Sequence, residues 1–246
     1  SLPGLMAMAP KLAEAFRSGS GISFAEYGAG MPRALEVMNR PVYEARLVKS
    51  WLPAMPEVMA RLQAGGRALD VGCGTGVVPL TLAKAFPSAT VAGLDLDAPS
   101  IDIARGYARD AGLEGRVSFL AQPLEALPAA PAWDLISTFD VMHDLPDPVG
   151  AMQHIRAALA VGGTYLMVEP KVGDDLQSNL ANPFARMFYG ISCLHCVPQS
   201  LAQGGLGLGA CWGEKRARAL AAQAGFTRFE RLGIKTAGLA FYALGA

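Results

Sequence analysis

The stretch Asp70-Val71-Gly72-Cys73-Gly74-Thr75-Gly76 constrains this chain more than any other. It follows Ala68 and Leu69 and precedes Val77-Val78-Pro79-Leu80-Thr81-Leu82, so it reads as a buried strand turning through glycines into a helix. Glycines at three alternate positions permit positive φ and leave no Cβ between the backbone and a ligand. Pro79 fits only near a first helical turn. Backbone N–H groups at that helix start would face the ligand.

The next strand, Thr90 to Leu94, ends in Asp95-Leu96-Asp97. An acid about 20 residues past a glycine turn is placed to accept hydrogen bonds from ribose hydroxyls. A dinucleotide turn wants G-x-G-x-x-G, whereas here glycines alternate after Asp70. That carboxylate would repel a pyrophosphate and suits an ammonium. With these residues in place, the chain resembles the class I S-adenosylmethionine-dependent methyltransferases. The resemblance implies a Rossmann-like α/β domain, a mostly parallel seven-stranded sheet flanked by helices, and S-adenosylmethionine as cofactor. It assigns donor contacts to Asp70, Gly72, Cys73, Gly74, Gly76, Asp95 and Leu96, with Phe139 and Asp140 at the end of the fourth strand. The family commonly binds adenine through an aspartate after the third strand, and this chain has Gln122-Pro123-Leu124 there. Pro123 occupies the acid's place, so Gln122 or a carbonyl near Leu124 is left as the acceptor.

A second informative stretch, Asp140-Val141-Met142-His143-Asp144-Leu145-Pro146-Asp147, follows the strand Trp133 to Phe139. It is similar to the His-Asp-Trp-x-Asp segment of small-molecule O-methyltransferases, whose histidine is the general base for the acceptor hydroxyl. That role falls on His143, with Leu145 in the tryptophan's place and Asp147 matching only loosely. An imidazole titrating near neutrality suits the task. The competing reading is a histidine that caps the helix beginning near Pro148. Glu169, at the end of the next strand, either faces the acceptor or is a plain strand-end acid.

Length allows one large domain or a domain with an appendage. Residues 1–62 read as a helical extension or lid, with helices at Leu5 to Phe16, Arg33 to Met38 and Val42 to Trp51. Tyr27 is either a lid residue or an ordinary core or surface tyrosine. Residues 63–246 form the methyltransferase domain, with strands at Arg67 to Val71, Thr90 to Leu94, Arg116 to Ala121, Trp133 to Phe139 and Thr164 to Pro170. Helices are expected at Val77 to Phe86, Pro99 to Ala111, Val149 to Ala160 and Glu214 to Ala224, with closing strands Thr227 to Gly233 and Thr236 to Leu244. Residues 171–212 exceed what a connection needs and read either as a cap over the acceptor or as an ordinary dimer or core contact.

Lys and Arg balance Asp and Glu at 21 each, so no nucleic-acid partner is expected. No apolar run suits a membrane span, and a cytoplasmic location is expected. The four cysteines make no disulfide framework. Cys193-Leu194-His195-Cys196 lacks a fourth ligand for a closed zinc site, so buried free thiols, and no metal, are expected. Leu47 to Phe229 also resembles bacterial proteins that carry a winged-helix module ahead of the catalytic part; such a module would lie upstream of Ser1. The function expected is methyl transfer to an oxygen of a small molecule, with nitrogen or sulfur less favoured. The rival is a donor-binding subunit or regulatory domain without transfer chemistry. A homodimer is one open outcome for the assembly.

Overall fold

A computed structural model of the chain describes residues 2–245. The N-terminal part is helical: α1 (Leu2–Ala7), α2 (Ala9–Ser18) and α3 (Met31–Arg46). The single helix expected over Leu5 to Phe16 is broken at Met8, because Pro10 fits only in the first turn of a new helix. Conversely, the two helices expected at Arg33 to Met38 and Val42 to Trp51 are largely one, running through Pro41. Pro41 removes a hydrogen bond to the carbonyl of Val37, and Val37 is exposed, so water can replace it. A π turn over Leu47–Trp51 and a short 3₁₀ turn lead into α4 (Pro56–Gln63).

The α/β part follows: β1 (Arg67–Val71), α5 (Val77–Ala85), β2 (Thr90–Asp95), α6 (Ala98–Asp110), β3 (Val117–Ala121), β4 (Trp133–Phe139), α7 (Pro148–Ala158) and β5 (Leu159–Pro170). Helix α7 stops two residues before its expected end. The chain enters β5 ahead of Gly162-Gly163 instead of after it, and Gly162 at φ 69° lets the strand kink where its register against β4 shifts. Then come α8 (Leu176–Asn179), α9 (Ala185–Ile191), a π turn over Ser192–Cys196, α10 (Val197–Ala202), α11 (Gly213–Gln223), β6 (Arg228–Arg231) and β7 (Leu239–Gly245).

The seven strands lie in the order β3-β2-β1-β4-β5-β7-β6, with β7 antiparallel to both neighbours. This is the Rossmann-like methyltransferase fold expected from the sequence. The order reverses between β1 and β4, which opens a crevice at their carboxyl ends. One face packs α5, α6 and the N-terminal residues Tyr43, Leu47, Trp51 and Leu62 against the sheet; the other packs α7 and α11. The N-terminal segment is also pinned to α10: Ile22 N–H donates to the Pro198 carbonyl at 2.9 Å. A Cβ on Gly21 would fall 2.0 Å from the Ala202 nitrogen, so only glycine permits this approach. Among the described residues, no helix is long and apolar enough to cross a membrane.

Candidate active site

The carboxyl ends of β1, β2 and β4 open into a cavity of about 1770 Å³, larger than the roughly 300–1,000 Å³ of a typical single-ligand pocket. It has room for two substrates. Its walls come from the glycine turn, α3, the segment after β4, the 171–212 segment and the 233–239 loop.

On the β1 side, Asp70 is buried, and Ser137 Oγ of β4 donates to its Oδ1 at 2.6 Å. Burial pushes its pKa up to about 8, against that hydrogen bond and with help from the Asp95 charge. The turn is tied to β2: the N–H groups of Gly72 and Cys73 both donate to the Leu94 carbonyl. Asp95 accepts from Gly74 N–H at 2.8 Å through one oxygen and from Asp97 N–H at 2.9 Å through the other. Burial raises its pKa, against these two backbone hydrogen bonds.

The three glycines of the turn differ in what surrounds them. All have positive φ, yet a Cβ on Gly72 would fall 2.4 Å from Val141, and one on Gly76 would fall 2.7 Å from the Phe119 ring. Gly74 alone has nothing within 4 Å. Gly72, Cys73, Gly74, Leu96, Pro123, Leu124, Phe139 and Asp140 line the cavity; Gly76 and Gln122 do not. Glu125, which the sequence reading passed over, does line it and places an exposed carboxylate near Pro123. An open glycine backbone, a half-buried acid at the β2 end and a buried acid at the β1 end are groups that could hold a ribose and an ammonium.

Past β4, Asp140 stands at φ 55°, the sole non-glycine residue with positive φ among those described. Such a backbone is costly and is held here by its surroundings. Asp140 N–H donates to the Val168 carbonyl, and Tyr43 Oη of α3 donates to its Oδ2 at 3.4 Å. Burial, together with the charge of Glu169, lifts the Asp140 pKa to about 7.

This turn delivers His143, 2% exposed, to the cavity wall. Its Nδ1 lies 2.5 Å from Oε2 of Glu169, which ends β5. The same carboxylate accepts from Met142 N–H at 3.0 Å and from the Trp212 indole at 3.1 Å. Burial alone would lower the His143 pKa; the charges of Asp144 and Glu169 outweigh it and hold it well above the usual value. His143 does not cap the following helix, because the Asp147 carboxylate takes Gly150 N–H there. Glu169 therefore has a specific partner, which the sequence left open, and no sequence signal pointed to Trp212 or Tyr43.

Tyr27 is buried off the cavity wall and donates to the Leu194 carbonyl at 2.7 Å. Cys193 is exposed, contrary to the expected burial, because its turn points it away from the core that takes Cys196. His195 stacks edge-on against Tyr27, with ring centroids 4.7 Å apart.

Comparison with known proteins bears on the fold and the family. The ubiquinone biosynthesis O-methyltransferase of Bordetella avium is 34% identical over 109 residues, 44% of this chain and 43% of that protein. The chain thus matches less than half the length of that curated relative. Among solved structures, the O-methyltransferase NcsB1 of neocarzinostatin biosynthesis superposes with a TM-score of 0.68 at 21% identity, covering 99% of this chain and 69% of that one. That protein was crystallised with S-adenosyl-L-homocysteine and 1,4-dihydroxy-2-naphthoic acid. Human N-acetylserotonin methyltransferase, in complex with S-adenosylmethionine, gives a TM-score of 0.66 at 18% identity, covering 98% and 66%. At these identities the likenesses show the fold. A family profile described as a methyltransferase domain matches residues 62–230, well over half of the sequence, and the chain belongs to that family.

Proposed function

We propose that this chain transfers the methyl group of S-adenosylmethionine to an oxygen of a small molecule, with His143 taking the acceptor's proton. When bound, the donor supplies a sulfonium-activated methyl carbon for in-line displacement. The supporting observation is the line Glu169, His143, cavity. Glu169 accepts from Nδ1, so Nε2 is the atom that exchanges a proton with a hydroxyl in the cavity, and with the imidazole pKa held high it takes that proton only after releasing its own. The carboxylate would fix the tautomer and stabilise the imidazolium as it forms, as in other carboxylate–histidine pairs.

In this reading Gly72, Cys73 and Gly74 hold the donor by their backbone, Asp70 faces its ammonium and Asp95 its ribose hydroxyls. Gly76 acts at one remove by letting the turn sit against Phe119. Pro123 and Leu124 wall the adenine, and Glu125 offers the acceptor for its amino group that Pro123 lacks. Helix α3 and residues 171–212 close over the acceptor.

The deciding experiment is calorimetric titration with S-adenosylhomocysteine, beside NAD and ATP, on the wild type and on Asp95→Ala. Micromolar binding of the first ligand only, weakened roughly tenfold or more in the variant, is expected. An acceptor screen then follows, in which His143→Ala loses turnover and keeps donor affinity. Donor binding without turnover of any acceptor would favour the rival, a donor-binding subunit.

A further inference from the structure

Helix α9, the π turn and α10 follow one another without a break, and one stripe of this helical run faces the cavity. Phe184, Met187, Phe188, Ile191, His195 and Gln199 recur along it at helical spacing and all line the wall. The stripe is apolar in its first part and polar in its second. His195 is only 6% exposed, yet its Nδ1 has no hydrogen-bond partner. Among the described residues none reaches its Nε2 either. We propose that His195 selects the methyl acceptor by hydrogen-bonding a second hydroxyl on an aromatic molecule whose body lies against Phe184, Met187, Phe188 and Ile191.

The first ground is the unpaired imidazole itself. Buried polar groups are nearly always hydrogen-bonded, and one left unpaired costs its desolvation. The rings of Tyr27 and Phe24 pack on His195, with centroids 4.7 Å and 5.9 Å away, and hold it without pairing its nitrogens. The Tyr27 hydroxyl donates elsewhere, to the Leu194 carbonyl. Burial lowers the His195 pKa against the charge of Asp144, so the ring is neutral near neutral pH, with one nitrogen a donor and the other an acceptor. A hydroxyl both donates and accepts, so it suits either tautomer.

The second ground is position. His195 sits in the π turn Ser192–Cys196, a widening of the helix that is frequent at functional sites. The next residue, Cys196, places its Sγ within 4.8 Å of a His143 ring nitrogen and an Asp144 carboxylate oxygen. Gln199, one turn on, donates to Asp144 Oδ2 at 3.1 Å. The polar part of the stripe therefore stands beside the turn that carries His143, and the apolar part runs away from it. An aromatic acceptor with one hydroxyl at His143 would bring a second within reach of His195 and lay its apolar edge along Phe184 and Phe188, whose rings pack together with centroids 6.4 Å apart.

This inference rests on the methyl-transfer reading and names the acceptor class for it. His143 keeps the proton exchange with the hydroxyl that is methylated. His195 binds the hydroxyl that is not, so it sets specificity and takes no part in the transfer. A phenylalanine in its place keeps the ring packing and removes the unpaired nitrogens, so it should leave the fold at least as stable as before.

The test titrates phenol, catechol, resorcinol and hydroquinone, then naphthol and its diols, into the protein saturated with S-adenosylhomocysteine. At least one diol should bind the wild type about tenfold or more tightly than its mono-hydroxy parent. In His195→Phe the two should bind within about twofold of each other, with S-adenosylhomocysteine affinity unchanged and a melting temperature no lower than that of the wild type. His195→Gln, which still donates and accepts, should recover part of the preference. No preferred diol in the wild type, a preference that survives in His195→Phe, or a His195→Phe melting temperature lowered by several degrees would overturn the proposal. Donor titration of the same samples separates the two readings. Donor binding and turnover of mono-hydroxy phenols without a diol preference sinks only the role of His195, whereas a chain that binds no S-adenosylhomocysteine sinks methyl transfer and this inference with it.

Discussion

His143 and Glu169 meet through a 2.5 Å contact between Nδ1 and Oε2, joining the turn after β4 to the end of β5. Glu169→Gln keeps the shape and removes the charge that supports the imidazolium. Turnover of an acceptor found by screening should fall about a hundredfold to ten-thousandfold. Calorimetry should show unchanged S-adenosylhomocysteine affinity. Unchanged turnover would reduce Glu169 to a packing role.

Gly74 and Gly76 should separate binding from stability. In Gly74→Ala the new methyl enters open space and the strain at φ 51° costs about 1–2 kcal/mol, so the main loss should be in donor affinity. In Gly76→Ala the methyl meets Phe119 and Ala104, adding an overpacking cost of about 1–3 kcal/mol. Thermal melting with parallel ligand titration reads both.

Asp70 should make donor binding and stability depend on pH. Its folded pKa of about 8 stands above the ordinary 3.8, so the folded chain keeps a proton that the unfolded chain releases. This contribution is complete below about pH 4 and is lost as pH rises to about 8, so the melting temperature of the ligand-free chain should decline across that window. Ser137, Asp95, Tyr43 and Cys73 surround the group, and the raised acids Asp95 and Asp140 act with the same sign. Asp70→Asn should flatten part of the slope. An ammonium arriving beside Asp70 should also expel its proton, so calorimetry of S-adenosylhomocysteine at pH 7 in buffers of different ionisation enthalpy should show about one proton released in the wild type and less in the variant.

Tyr27 spans 167 residues of sequence to reach the Leu194 carbonyl. Pro198 has no N–H to offer that carbonyl in the usual helical pattern. Tyr27→Phe should cost about 1 kcal/mol, seen as a melting shift of roughly 2–4 °C. Donor affinity should be unaltered.

The strand, glycine turn and helix from Arg67 to Ala85, the acid at Asp95 and the alternation of strands and helices that yields the sheet are legible in the sequence. These signals are local: glycine permissiveness, apolar spacing and the placement of an acid at a strand end all act within a few residues. Tertiary structure alone decided that Gly74 faces the cavity while Gly76 packs on Phe119, since their local sequence contexts are alike. It also decided that Pro41 sits inside a helix, because exposure of Val37 lets water satisfy the orphaned carbonyl. The partnership of His143 with Glu169 and Trp212, and the approach of Cys196 to His143 and Asp144, join segments 26 to 69 residues apart whose side chains carry no mark of one another. Only the parallel pairing of β4 with β5, and the packing of the 171–212 segment over their carboxyl ends, brings those groups within reach.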